Sequence, residues 1–213
     1  MAGNFLKNGN GKDMNSVLTN LAYMYVTLMP VIFAGILNMI FCKLPILGFL
    51  KKPMDAGKNF TDGRRIFGEN KTWKGFAGYV ILGTLMTLLW GFICKAAPVL
   101  ASHDFFYLEH ENKVTYNLLC GVLIGIAYAF FELPNSFLKR RLGIEPGKTM
   151  KGWQKVLFVF LDQADSIFGC VLVVCIFHPL PVWYYFLYVI VGAVTHIILN
   201  MLLYFAHLRK NMF

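Results

Sequence analysis

The chain has 213 residues, enough for one domain by the usual measure of about 100–200 residues each. Hydrophobic residues make up 57% and charged residues only 15%, against roughly 25% charged in a soluble domain. These values and a mean hydropathy of +0.57 exclude a soluble globular enzyme, a disordered chain and a disulfide-stapled scaffold, leaving an integral membrane protein. The formal charge of +9 lies between apolar runs rather than in a surface stripe. That distribution argues against a nucleic-acid partner and for membrane lipids, anionic headgroups or phosphates.

Residues 1–16 form a polar N-terminal tail rich in Gly and Asn, without the pattern of a cleavable signal peptide. A bilayer core of ~30 Å needs about 20 apolar residues as helix. Five runs approach or reach that length: Val17–Phe41, Gly75–Ile93, Tyr116–Phe131, Val156–Phe177 and Val182–Phe205. The third is short for a straight span, and Pro134 just beyond it is expected to stop or kink its helix. Gly121 and Gly125 form a GxxxG pattern, which marks close helix packing. The expected architecture is all-α: a single polytopic membrane domain over 1–213, with five transmembrane helices and two basic cytoplasmic loops. Sixteen of the twenty Lys and Arg residues fall in segment 42–74, segment 132–155 and the C-terminal tail. By the positive-inside rule these lie in the cytoplasm, with the N-terminus outside. The five cysteines lie in or beside apolar runs without a CxxC and read as small buried hydrophobes. The histidines show no metal-ligand spacing.

The chemistry-bearing residues cluster toward the basic side. Asp162 and Asp165, at i and i+3, share a helix face about two turns inside an apolar helix. A carboxylate there costs at least ~2.5 kcal/mol on insertion scales. A divalent cation held by carboxylates and substrate phosphates would neutralise the pair. Salt bridges to loop Lys or Arg, for packing alone, are the alternative. Glu132, at the membrane–water boundary, would supply a third acid, or else serves as a solvated helix end. Arg64-Arg65-Ile-Phe-Gly68-Glu-Asn-Lys71-Thr72-Trp73-Lys74-Gly75 and Arg140-Arg141-Leu-Gly143 through Lys148-Thr149-Met150-Lys151-Gly152 are similar strings, each ending at an apolar helix. They suggest an internal repeat and phosphate sites, with Arg forks, Lys point charges and helix-start N–H groups. Positive-inside signalling would by itself explain part of that charge. No GxxxxGK[ST] loop is present.

Asp62-Gly-Arg-Arg-Ile-Phe-Gly-Glu-Asn-Lys-Thr-Trp-Lys-Gly-Phe76 resembles the signature of the CDP-archaeol synthase family, within the phosphatidate cytidylyltransferase superfamily. So do Glu132-Leu-Pro-Asn-Ser-Phe-Leu-Lys-Arg-Arg-Leu-Gly143 and Leu161-Asp-Gln-Ala-Asp-Ser166. Ser136, Lys139, Arg140, Gly143, Asp162 and Asp165 match the superfamily hallmark, with Glu132 as its earlier acid. The resemblance implies that CTP and a lipid phosphomonoester give a CDP-lipid and pyrophosphate, with Mg2+. On this reading Asp162, Asp165 and Glu132 hold the metal. Lys71, Lys74, Lys139, Arg140 and Arg141 hold the triphosphate. Asp62, Arg64, Asn70, Thr72, Asn135, Ser136 and Lys148 position nucleotide or metal. The lipid phosphate could be an archaeal ether lipid, a diacylglycerol phosphate or a polyprenol, and self-association as a homo-oligomer stays open. Alternatives of other classes are a lipid kinase, a phosphoalcohol transferase, and a non-enzymatic ion or anion transporter.

Overall fold

Residues 12–148 and 152–207 are described in a computed structural model of the chain, with side chains from Ser16 onward. The tail 1–11 lies outside the described residues. So do Thr149, Met150 and Lys151 of the second basic string, and Arg209 and Lys210, which entered the charge count. The elements are α1 (Lys12–Lys43), α2 (Trp73–Ala96), a short α3 (Pro98–Ala101), α4 (Val114–Arg141), α5 (Trp153–Phe177) and α6 (Val182–Phe205). Single 3-10 turns occupy Gly48–Lys51 and Phe105–Tyr107. Among the described residues the only β pairing is two isolated bridges, Pro53 with Thr72 and Asn59 with Arg65.

Five of these helices (all but α3) are long and apolar enough to cross a membrane, matching the five expected runs. The third differs in extent. Pro134 does not stop α4, which continues to Arg141. Proline removes one backbone donor, but near a helix's polar end that loss falls where partners other than the ladder are within reach. Twenty-eight residues then span easily where the apolar run alone looked short.

The helices pack in the order α1–α2–α4–α5–α6, with α1 meeting α6 to close a ring. The tightest seam joins α2 and α4. A Cβ on Gly125 would stand 2.5 Å from Tyr79 O, and one on Gly121 would stand 2.6 Å from Thr84 Cα. Only glycine admits that backbone approach, so the GxxxG pattern does what its spacing suggested. At the α5 seam Gly169 plays the same part, its missing Cβ 2.6 Å from Ala127 O.

The two ends of the bundle are unlike. At the end away from the basic loops the interior is filled by an apolar core. It includes Met24 and Leu28 of α1, Cys120 and Ile124 of α4, Cys170, Val171 and Val174 of α5, and Tyr188 and Val189 of α6. Phe105 and Phe106 seal it, held by buried Asp104. Asp104 Oδ1 accepts from the Phe106 N–H at 3.0 Å and its Oδ2 from the Trp90 indole at 3.0 Å. Toward the basic loops that core gives way to a polar cavity.

Candidate active site

The extension of α4 through Pro134 builds one wall. Glu132, Asn135, Ser136, Lys139 and Arg140 recur at three- and four-residue steps, so they share a face. All five line a cavity of about 600 Å³. Asp162 and Asp165 line it from α5, Asn70 and Lys71 from the first basic loop, and Lys148 from the second. The remaining walls are α1, through Ile32, Gly35, Ile36, Met39 and Lys43, and α6, through His196, Leu199, Asn200 and Leu203.

Within it, acids and bases interlock. Asn135 Nδ2 donates to Asp162 Oδ1 at 2.7 Å and to Asp165 Oδ2 at 2.9 Å. Two carboxylates thus converge on one amide. Lys139 pairs with Asp162, and Lys71 with Glu132. Burial works against the Lys71 charge. The carboxylates of Glu132, Asp165 and Asp162 outweigh it and hold that pKa above its ordinary value. Of the groups that line the cavity, Asn135 Oδ1 and the Nε and Nη1 of Arg140 are buried without hydrogen-bond partners among the described residues. Arg140 is only 8% exposed. A buried guanidinium with open donors is unfavourable until an anion fills it.

The donor set fits a hard cation. Asp162 and Asp165 offer carboxylate oxygens that converge on the Asn135 Nδ2 donor, and Asn135 Oδ1, on the other arm of that amide, is buried without a partner. Oxygen ligands of this kind suit Mg2+. Glu132 stands apart from the convergence, in its pair with Lys71. No group of three His, Cys, Asp or Glu converges at metal-binding distance among the described residues.

Other expected site residues fall elsewhere. Lys74 is 1% exposed. It donates to Leu44 O at 2.7 Å and stands over the Phe41 ring, locking α2 to the end of α1. It borders a second space of about 540 Å³, which shares Asn70, Lys71 and Glu132 with the first. Thr72 borders the same space. It caps α2, its Oγ1 accepting from the Gly75 N–H at 3.2 Å. Asp62, Arg64 and Arg141 are absent from the lining of the main cavity. Instead they latch the first loop to the end of α4. Arg141 pairs with Asp62 and donates to Arg64 O at 3.2 Å, while the Arg64 guanidinium donates back to Arg141 O. Phe60 and Phe137 flank the Arg141 guanidinium. Lys148 pairs with Glu145 at the cavity mouth. The two basic strings also differ in form: Arg64 and Arg65 lie in a loop, Arg140 and Arg141 in the last turn of α4.

Sequence reasoning missed several contributors. Asp55 organises the first loop, accepting from the N–H groups of Gly57, Phe67 and Gly68 and from Arg65 Nη2 at 2.6 Å. Burial alone would raise its pKa, but Arg65 and those N–H groups hold the carboxyl well below the usual range. No spacing pattern marks it. The cavity floor is a polar chain across the helices. Tyr128 OH meets His196 Nε2 at 3.1 Å, and His196 Nδ1 meets Gln163 O at 3.3 Å. Asn200 donates to Gln163 Oε1. His196 and Asn200, at i and i+4 in an apolar helix, were legible as intramembrane polar residues.

Residues 14–213 match the CarS-like family of CDP-archaeol synthases. The chain belongs to that family. The CDP-archaeol synthase of Pyrococcus furiosus is 33% identical over 152 residues, 71% of this chain and 78% of the relative. That of Pyrobaculum arsenaticum is 30% identical over 161 residues, covering 76% and 82%. A solved structure described as an intramembrane enzyme for archaeal membrane lipids biosynthesis superposes with a TM-score of 0.55. At 22% identity over 83% of this chain and 92% of that one, it attests the fold. This member is an integral, multi-pass membrane enzyme, a CTP-dependent cytidylyltransferase that forms a CDP-lipid. The kinase, phosphoalcohol-transferase and transporter alternatives fall with that membership.

Proposed function

We propose that the cavity between α4, α5 and the basic loops binds CTP and an archaeol-type ether-lipid phosphate and transfers the cytidylyl group between them. The observation that carries this reading is the buried, unpaired Arg140 guanidinium facing a cavity walled by Lys71, Lys139 and two converging aspartates. Open cationic donors call for a phosphate. Paired carboxylates beside them call for the cation that accompanies a nucleoside triphosphate.

The lipid phosphate is already anionic near neutral pH, so no general base is needed. One of its oxygens attacks the α-phosphorus of CTP. The new P–O bond replaces the bond from the α-phosphorus to the α,β-bridging oxygen, and pyrophosphate leaves with that oxygen and the electron pair of the broken bond. Asp162 and Asp165, with the Asn135 amide turned over to present Oδ1 in place of Nδ2, would hold Mg2+, which when bound neutralises charge on the phosphates. Arg140 and Lys139 would hold the triphosphate tail and stabilise the leaving group. Lys71, released from Glu132, would meet a phosphate oxygen. Asn70, Ser136 and Lys148 would border the nucleotide. Lys74, Asp62, Arg64, Arg141 and Thr72 would act by fixing the loops and helix ends. The basic end would face the cytoplasm, where CTP is, putting the N-terminus outside and the C-terminus inside.

The test uses purified protein with CTP, Mg2+ and a panel of ether- and ester-linked lipid phosphates, with products identified by mass. The reading expects label from α- but not γ-labelled CTP in the lipid, the ether-linked substrate to be favoured, and loss of product on chelation. Product formation undiminished by chelation would remove the metal. Preference for ester-linked or polyprenyl phosphates would remove the lipid assignment. Thiol-reactive, membrane-impermeant labelling of single cysteines placed in loop 58–62 tests the orientation: labelling from outside intact cells reverses it.

A further inference from the structure

We infer that residues 44–52, where α1 gives way to the first basic loop, dock on anionic headgroups of the leaflet at the basic end, and that this contact steadies the backbone that carries Lys71. The docking stands on the geometry of the segment. Its effect on turnover rests on the cavity reading above.

The segment reads Leu44-Pro-Ile-Leu-Gly-Phe-Leu-Lys-Lys52, apolar for a loop and without an acid. α1 has already ended at Lys43, so these side chains belong to no span. Leu44, Ile46, Leu47 and Phe49 are nevertheless exposed, Ile46 by 50% and Phe49 by 68%. Leu47 also takes a left-handed backbone, φ 51°, just before the turn Gly48–Lys51, a conformation that a bulky residue rarely adopts. Lys43, Lys51 and Lys52 bracket the apolar group, and all three are exposed. A contiguous apolar patch rimmed by charge marks a contact surface.

The spans on either side set its depth. α1 delivers Leu44 at one end. At the other, Lys52 O accepts from the N–H of Trp73, the first residue of α2, at 3.1 Å. A segment tied to the same ends of two spans lies at the bilayer boundary. Trp73, itself exposed, marks that level, as tryptophan does at membrane–water interfaces. At that depth the aliphatic and aromatic groups meet the tops of the acyl chains, and the lysines meet lipid phosphates. A two-fold contact with a second copy would bring the same lysines face to face, so the charge favours an anionic leaflet.

The segment is also tied to the site. Lys74 Nζ donates to Leu44 O at 2.7 Å, Met54 N donates to Lys71 O at 2.8 Å, and Pro53 pairs with Thr72 in an isolated bridge. The strand of backbone from Lys71 to Lys74 is thus held from this side, while the Lys71 side chain enters the cavity and pairs with Glu132. Headgroups that fix residues 44–52 fix that backbone, and with it the amine that the reaction reading brings to a phosphate.

Two measurements test this. First, the Phe49→p-benzoylphenylalanine protein is irradiated in vesicles of phosphatidylcholine containing some phosphatidylglycerol, and adducts are identified by mass. Lipid adducts are expected, in a phosphatidylglycerol-to-phosphatidylcholine ratio about fivefold above that of the vesicle, the preference one lysine confers at a charged surface. Adducts in proportion to lipid abundance, adducts to a second copy of the chain, or no adducts overturn the docking. Second, kcat at saturating CTP is compared in vesicles with and without phosphatidylglycerol. The wild type should gain up to about fivefold, the same contact passed to the site. A variant combining Ile46→Asn, Phe49→Asn and Lys52→Gln should keep the wild-type rate in phosphatidylcholine and lose the gain. An equal gain in both proteins, or none in the wild type, overturns the coupling. Because the ratio between vesicles is read, partial unfolding of the variant does not mimic the result. If no CDP-lipid forms in any vesicle, the reaction reading and the coupling fail together, and the adducts still decide the docking.

Discussion

Arg140 is the residue at which stability and function pull apart. Its guanidinium is buried, and two of its nitrogens lack partners among the described residues. Replacing a buried charge of this kind with an apolar side chain of similar length is often neutral or stabilising. Arg140→Met should therefore keep or raise the Tm of the ligand-free protein while lowering kcat/KM for CTP at least a hundredfold. Unchanged kcat/KM would show that the guanidinium does not meet the nucleotide. Asp162 carries a complementary expectation. Asp162→Asn keeps the size of the side chain and its contact with Asn135, yet loses the charge that balances Lys139. CDP-lipid formation should vanish in a variant that still elutes as folded protein, and turnover near the wild-type rate would end the assignment. Asp55 belongs to a different class, because its bonds go to the loop itself. Its lowered pKa sets the sign. The stabilisation is complete above the ordinary carboxylate value of 3.8 and fades as pH falls through the lower folded value. Asp55→Asn should destabilise the loop by about 1–3 kcal/mol, read as faster amide exchange at residues 57–68 at neutral pH.

At the scale of elements, α4 matters most. Proline reads as a helix breaker, and Pro134 splits the segment in a sequence-based reading into an apolar span and a basic loop. The continuous helix turns Glu132, Asn135, Ser136, Lys139 and Arg140 into a single stripe, which no loop would place in register. The other face of α4 is committed to packing through Gly121 and Gly125. Gly125→Val should overpack that seam. A Cβ 2.5 Å from Tyr79 O and from Val80 Cα has no room, and backbone on both sides has little freedom to move. A loss of about 1–3 kcal/mol or more is expected, measured as a lower melting temperature in detergent. It should be accompanied by lost activity, because Tyr79 and Glu132 ride on the two helices. An unchanged melting temperature would mean that the helices separate more readily than their glycines imply.

Across the whole molecule, the bundle holds an apolar core at one end and a polar cavity at the other. Asp104 anchors the apolar end beneath Phe105 and Phe106. Burial pushes its carboxyl up to about 6 from an ordinary 3.8. For an acid raised on folding, the stabilisation is full below the ordinary value and lost as pH rises through the folded one. The melting temperature should accordingly fall between about pH 4 and pH 7, and Asp104→Asn should flatten that fall. A profile identical in the two proteins would remove Asp104 as its source.

Composition and hydrophobic runs alone determined an all-helical membrane protein with five spans. Burying apolar side chains in lipid and satisfying every backbone group leaves a 20-residue apolar run few other forms. The aspartate pair and the basic strings were legible for a related reason: charge inside or beside a membrane helix is expensive and draws attention by its rarity. Tertiary structure decided which charges share the cavity. Arg140 and Arg141 are neighbours in sequence, but 100° of helical rotation sends one into the cavity and the other to Asp62. Lys71 and Lys74 diverge in the same way, one to Glu132 and one to the end of α1. Those outcomes depend on the rotation and contact of whole helices, set by glycines and by ties between residues far apart in the chain.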